Sequence, residues 1–295
     1  MPNPIDWNQI EANLHTMTHA TGGFSQAQRG LVGLPGGGQV FVKIGTEENS
    51  KAWAKKEVAV YRYLQDQSYT AIPALLAASP DQTAFSLEAL KPEDGWDWSE
   101  TWTAERLAAT LQAMDDLAAL QPKHEDWMSL GQVALDEGRD GWGPLAQSTE
   151  LQQELREKLK TAGQSQIAEA LDFTAQAERT ASFVFRTDTL VHYDVRADNC
   201  AWNPVQKQVK LVDWNWTQLG DTRVDSSAML AHVQRTGLDV YPLYADRLDA
   251  DALHWLAGFW LRAAITPIWP DGPAHLRDMQ LQVGITALGL AHSIE

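Results

Sequence analysis

The stretch from residue 189 to residue 216 constrains this chain more than any other. An apolar run, Thr189, Leu190 and Val191, leads into His192, Tyr193 and Asp194. Asn199 follows that aspartate after a short loop, and Asp213 closes a second apolar run that begins at Val209. Strand-forming residues on both sides of Asn203 and Pro204 predict a hairpin. Strand, loop and hairpin in that order bring Asp194, Asn199 and Asp213 to one end of a small sheet. Hard oxygen ligands converging there suit Mg²⁺, which favours carboxylate, carbonyl and phosphate oxygens. A carboxylate left over suits a general base for an attacking hydroxyl. His-x-Asp alone is common by chance; with the asparagine and the post-hairpin aspartate added, the constellation is rare.

Upstream, the first ninety residues read as strands around one helix. Residues 31–44 form two β-rich runs about Pro35, Gly36, Gly37 and Gly38, a hairpin with a glycine turn. Lys43 sits inside the second run, where a lysine is costly unless it has a partner. Ser50 is placed to cap a helix over 51–65, whose apolar positions Trp53, Ala54, Val58, Tyr61 and Leu64 recur at helical spacing. Lys51, Lys55 and Lys56 read as its solvated face. Two short strands follow around Pro80 and Asp81. Composition shifts at 91–98, where proline, glycine and acidic residues mark a boundary. Beyond it the chain is mostly helical: 103–120, a long polar-faced helix or helix pair over 150–181, and 226–295 with breaks at Gly237, Pro242 and Pro267. The apolar stretch 252–265 is too short to span a bilayer and reads as a buried helix.

Charge and cysteine content exclude several function classes. With 23 basic and 39 acidic residues the net charge is −16. That argues against nucleic acid or an anionic membrane as partner and favours a cationic ligand. The single cysteine, Cys200, excludes an intramolecular disulfide and any multi-cysteine metal cage. A reducing, cytoplasmic compartment fits, since the first residues carry neither a basic n-region nor an apolar h-region.

His192, Tyr193, Asp194 and Asn199, with Asp213 after a hairpin, resemble the catalytic loop and metal-binding aspartate of the protein-kinase-like fold. Within it the chain is most similar to the aminoglycoside phosphotransferase and choline kinase group, over roughly its whole length. The resemblance implies an α+β, bilobal protein. A small antiparallel N-terminal sheet with one helix (1–90) would bind nucleotide. A hinge (91–98) would lead to a larger, mostly helical lobe (99–295) carrying the catalytic loop and the acceptor site. Asp194 would orient the acceptor hydroxyl and take its proton, and Arg196 would serve the γ-phosphate. Asn199 and Asp213 would hold Mg²⁺. Lys43 would contact the phosphates of ATP, steadied by Glu57. Gly22, Gly23 and Ser25 fall where the nucleotide-binding loop would lie, and Glu88 and Leu90 at the adenine-holding hinge. His192 would support the loop, and Asp225 would brace it.

Three departures from the family pattern narrow the reading. Tyr193 stands where many members carry glycine. Trp214 and Asn215 follow Asp213 where protein kinases carry phenylalanine and glycine. Between Asp213 and Asp225 no long activation segment fits, which favours a small-molecule acceptor over a protein. An aminoglycoside or amino sugar is the expected acceptor; a choline- or ethanolamine-type kinase and a catalytically silent binding protein are the alternatives. Trp96, Trp98 and Trp102, interleaved with acids, fit either a cation-binding cluster or a loop anchor. Oligomeric state is not readable.

Overall fold

The computed structural model describes residues 5–20, 27–122, 141–268, 272–273 and 275–295. The chain forms two compact units, neither continuous in sequence. One comprises Met1–Gly131 with Leu190–Leu219, the other Gln132–Thr189 with Gly220–Glu295. Contacts thus group the chain otherwise than a chain-order division at 91–98: the hairpin segment 190–219 packs with the N-terminal part.

In the first unit, strands β1 (Thr18–His19), β2 (Gln28–Gly33), β3 (Gln39–Ile44), β4 (Leu75–Ala78) and β5 (Ala84–Glu88) form an antiparallel sheet ordered β1-β2-β3-β5-β4. The turn between β2 and β3 holds Gly36, Gly37 and Gly38 at positive φ, a conformation open to glycine without strain. Period-2 alternation divides β3 between two faces. Val40 and Val42 join a core with Val32, Ala84 and Trp7 and Ile10 of helix α1 (Trp7–Ala12). Phe41 and Lys43 face the other way. The register carries that second face across the sheet, pairing Arg29 with Lys43, Leu31 with Phe41, Lys43 with Phe85 and Phe41 with Leu87. A one-residue slip would exchange the two faces.

Helix α2 (Glu48–Asp66) buries Ala54, Glu57, Val58, Tyr61 and Leu64 at helical spacing. Its N-cap is Glu47 and not Ser50. The serine occupies the third helical position, and its Oγ accepts from the Glu47 amide at 2.9 Å, a capping box with the usual residue types exchanged. Lys56 is buried, and burial lowers its pKa to about 8, so it does not belong to a solvated face. Helix α3 (Ala104–Ala118) starts where the sequence places it, with Thr103 Oγ1 accepting from the Arg106 amide at 3.1 Å. The later segment supplies β6 (Thr189–Val191), the hairpin β7 (Cys200–Asn203) and β8 (Gln208–Leu211), and β9 (Gln218–Gly220).

The second unit is helical. Residues 150–181 hold not one helix or a pair but three, α5 (Thr149–Thr161), α6 (Ser165–Ala170) and α7 (Phe173–Thr180), after α4 (Trp142–Gln147). The breaks have local causes: Gly163 adopts φ +77°, and Asp172 caps α7 by accepting from the Thr174 and Ala175 amides. Helices α8 (Thr222–Arg235), α9 (Tyr241–Tyr244), α10 (Ala250–Ala264) and α11 (Leu276–Ile294) complete the unit. The expected buried helix over 252–265 is α10. Asp221, fully buried, caps α8 and pairs with Arg223 at 2.7 Å. Among the described residues no helix is long and apolar enough to cross a membrane.

Helix α10 approaches residue 141 closely. A Cβ on Gly141 would lie 1.7 Å from the Gly258 carbonyl oxygen, and one on Gly258 would lie 2.4 Å from the Trp142 ring. Gly141→Ala is therefore expected to destabilise the protein by about 1–3 kcal/mol or more. A lowered urea midpoint at unchanged m-value would show it.

Candidate active site

The second face of the sheet opens on a cavity of about 600 Å³ lying within the first unit. Leu31, Phe41, Phe85, Leu87 and Leu90 give it apolar walls, and Lys43, Glu57, Asn199 and Asp213 line its polar end. Lys43 is the centre of that end. Its Nζ lies 2.5 Å from Glu57 Oε1 and 2.8 Å from Asp213 Oδ1, in an almost fully buried setting. Burial works against the lysine's charge, yet Asp213 and Glu57 outweigh it and hold its pKa above the ordinary value. Burial pushes Glu57 up to about 7 despite Lys43. Asp213 is also opposed by burial, but Lys43 and then Arg196 hold it below the usual carboxylate range. The site thus keeps a firmly ionised aspartate beside a glutamate close to titration.

The loop after β6 presents the second group of side chains. His192 is fully buried, and burial lowers its pKa to about 4, so it is neutral at pH 7. Its Nε2 lies 3.1 Å from the Val212 carbonyl oxygen, and its Nδ1 accepts from the Asp194 amide at 3.2 Å. These contacts make it a support, as expected. Trp214, also fully buried, packs against the His192 ring at 4.4 Å and edge-on to Tyr61 and Tyr69. It is a core residue. Asn199 Nδ2 donates to the Asp194 carbonyl at 2.9 Å and to its Oδ2 at 2.8 Å. Arg196 Nη1 lies 3.1 Å from Asp194 Oδ1, and Arg196 Nε donates to Asp198 at 2.6 Å. Burial outweighs the Arg196 guanidinium and raises Asp194 to about 7. A carboxylate titrating near neutrality is suited to accept a proton in turnover.

The expected metal ligands fit the chemistry of Mg²⁺. Because the Asn199 amide nitrogen is committed to Asp194, its Oδ1 is the atom left for a cation, and Asp213 keeps Oδ2 beyond its bond to Lys43. Mg²⁺ commonly takes one or two protein oxygens and completes its shell from phosphates and water. Among the described residues no group of three or more His, Cys, Asp or Glu side chains forms a metal cage.

The structure brings Lys43, Glu57, Asn199 and Asp213 to one cavity, with Glu88 and Leu90 on its wall. Asp194 and Arg196 join them through Asn199 and the loop. Gly22, Gly23 and Ser25 lie outside the described residues. Glu88 is exposed, its Oε2 accepting from the Ala74 amide at 3.3 Å. Arg29 was missed. It stands across the strand pair from Lys43 and lines the same polar end; the signal was its position on β2, readable once the register is known. Trp98 also lines the cavity, and its Nε1 donates to the Leu90 carbonyl at 2.9 Å. Trp96 and Trp102 are buried, which answers to the anchoring role for those two. Cys200 is fully buried, and burial raises its thiol pKa.

The chain's similarity to known proteins agrees with this geometry. It overlays a choline kinase from Streptococcus pneumoniae, LicA, with TM-score 0.56 at 12% identity, covering 95% of this chain and 96% of that one. An aminoglycoside phosphotransferase from Alicyclobacillus acidocaldarius gives 0.55 at 14%, with 96% and 94% covered. A ternary complex of streptomycin, ATP and APH(2")-IIa gives 0.50 at 15%, with 88% and 90% covered. These likenesses establish the protein-kinase-like fold. No curated protein sequence matches the chain. The sequence model of the phosphotransferase enzyme family matches residues 16–259, a span that contains both the Lys43 cluster and the Asp194 loop. The chain belongs to that family, and it is a small-molecule phosphotransferase.

Proposed function

We propose that this phosphotransferase moves the γ-phosphoryl group of ATP, with Mg²⁺, to a hydroxyl of a small cationic acceptor, an amino sugar or an amino alcohol. The observation that carries the reading is the meeting of Lys43, Glu57 and Asp213 at the polar end of an apolar-walled cavity. The apolar walls suit a nucleobase, and the lysine suits its phosphates. Phosphoryl transfer asks mainly for positioning and charge neutralisation.

In this reading Lys43 holds the phosphates, and Glu57 fixes the ammonium in place. The sequence position of Gly22, Gly23 and Ser25 suits backbone contact with phosphate. Leu90 and Glu88 border the base. Asn199 and Asp213 hold Mg²⁺, which when bound neutralises charge on the phosphate oxygens. Asp194 orients the acceptor hydroxyl and takes its proton. Arg196 serves the γ-phosphate, a task that suits a guanidinium. The net charge of −16 favours a cationic acceptor over an anionic one, and a cytoplasmic setting supplies ATP.

The test is a thermal melt with ATP, with and without Mg²⁺. A ligand at about 100 times its Kd adds about 2.7 kcal/mol of stability. The expected result is a rise in Tm that needs both ATP and Mg²⁺, followed by phosphate transfer to at least one of choline, ethanolamine, streptomycin or gentamicin. Absence of any shift with ATP, ADP or GTP would favour a catalytically silent binding protein. Transfer to choline or ethanolamine alone would make the chain a metabolite kinase.

A further inference from the structure

Arg106 is fully buried on α3, yet among the described residues no carboxylate pairs with it. Its guanidinium is spent on backbone carbonyls. Nη1 donates to Ser99 at 2.7 Å and to Thr101 at 2.9 Å; Nη2 donates to Cys200 at 2.6 Å and to Ala197 at 3.3 Å. The Trp102 ring lies 4.4 Å beneath the guanidinium carbon. One planar fork therefore joins two chain segments that are far apart in sequence. Residues 99–101 follow Trp98, which lines the cavity and holds the Leu90 carbonyl. Residues 197 and 200 bracket Asn199, whose side-chain amide grips Asp194 at both its carbonyl and its carboxylate. The same two segments also pair directly, Asp97 and Trp202 exchanging amide–carbonyl bonds of 2.7 and 2.9 Å.

A buried charge of this kind is costly, and a neutral apolar side chain would fill the volume with less penalty. What a guanidinium alone supplies is a rigid set of donors in one plane, able to serve four acceptors on two strands of chain at once. We propose that Arg106 is a positioning residue for phosphoryl transfer: through the Ala197 and Cys200 carbonyls it fixes the backbone at Asn199, and Asn199 in turn fixes the Asp194 carboxylate. This rests on the reading of Asp194 as the group that receives the acceptor's proton. Arg106 touches neither nucleotide nor acceptor in this account.

Arg106→Lys tests it, because a lysine keeps the charge and most of the volume but cannot span both pairs of carbonyls. Leu107→Val serves as the control, since Leu107 is fully buried one residue along the same helix and is not among the residues that line the cavity. Three quantities are measured on the full chain: Tm, the Kd for MgATP, and phosphate release from MgATP to water. The expected result for Arg106→Lys is a fall in turnover of about tenfold or more, with the Kd for MgATP changed by less than about threefold. Leu107→Val lowers Tm while keeping the wild-type turnover. Amide exchange read by mass spectrometry over 194–203 supplies a readout independent of activity; it is expected to quicken in Arg106→Lys and not in Leu107→Val.

Wild-type turnover in Arg106→Lys would overturn the proposal, and so would equal turnover losses in the two variants. Unchanged exchange over 194–203 would do the same. Asp194→Asn run beside them separates the two levels. If it is inactive while Arg106→Lys turns over normally, only the role of Arg106 falls. If Asp194→Asn is active, the reading of Asp194 falls, and the exchange data still decide whether Arg106 holds the loop.

Discussion

Asp194→Asn is expected to lower turnover by about 10²–10⁴-fold, the range for losing a general base, while MgATP binds nearly as before. The split follows from where Asp194 sits: Asn199 and Arg196 hold its carboxylate, and it is not among the residues that line the cavity proposed for the nucleotide. Its titration adds a second signature. Burial raises Asp194 to about 7, and the base must be ionised to accept a proton. The wild-type rate should therefore fall about tenfold per pH unit below that value, and the residual rate of the asparagine variant should lose this limb. Stability moves in the opposite sense. A carboxyl whose folded pKa lies above its unfolded one is most favourable to folding when protonated, and that contribution is lost as pH rises through the folded value. The asparagine variant should accordingly melt above the wild type at pH 8, with the gap closing toward pH 5. A wild-type rate that stays flat from pH 8 to pH 5 would remove Asp194 from its role.

The second large effect belongs to Lys43. Lys43→Met is expected to abolish Mg²⁺-dependent ATP binding and to cost about 3–5 kcal/mol of stability, the range for breaking a buried ion pair by removing one partner. The cause is that Glu57 and Asp213 would be left buried together without a cation. Their mutual repulsion raises both carboxyls, Glu57 beyond the value of about 7 that it has beside the lysine. Protonation then becomes the relief, so the variant should regain stability relative to wild type as pH falls below 7. Urea midpoints at pH 8 and pH 5.5 would measure this. Equal losses at both values would mean that the two carboxylates do not depend on Lys43 for their charge.

Lys43 and Asp213 were legible because each breaks a local rule: a lysine inside an apolar strand, and an aspartate ending one. The asparagine after Asp194 gave the spacing of the loop. Glu57 was readable only through the family resemblance, since in the sequence nothing distinguishes it from the other charged residues of α2. Arg29 was not legible as a site residue, because its place follows from strand register; Trp98 was legible as either a ligand contact or an anchor, and its place on the cavity wall follows from the path after Leu90. Arg106 left no signal at all; in sequence it is one more arginine on an amphipathic helix, and its four acceptors are backbone atoms. Lys56 reads as solvent-facing and is buried, which shows the limit of assigning helix faces from charge alone. The misread cap at Ser50 has a local cause: Glu47 takes the cap with its side chain, and the serine answers from the third position.

The discontinuity of the first unit sets a schedule for the chain as it is made. Lys43 and Glu57 emerge from the ribosome early, but Asp213, the second acid against Lys43, follows 170 residues after the lysine. At ordinary rates of synthesis, about 5–20 residues per second, that interval is about 10–30 s. Throughout it the nascent sheet and α2 have no hairpin 200–211 and no Trp214 to bury against Tyr61. An apolar surface and a half-partnered lysine are then exposed to solvent, with the residues of the second unit's first helices emerging in between. Such a chain should profit from a holding chaperone during translation. A ribosome pause placed before codon 190 should cost yield, and one placed after codon 219 should not.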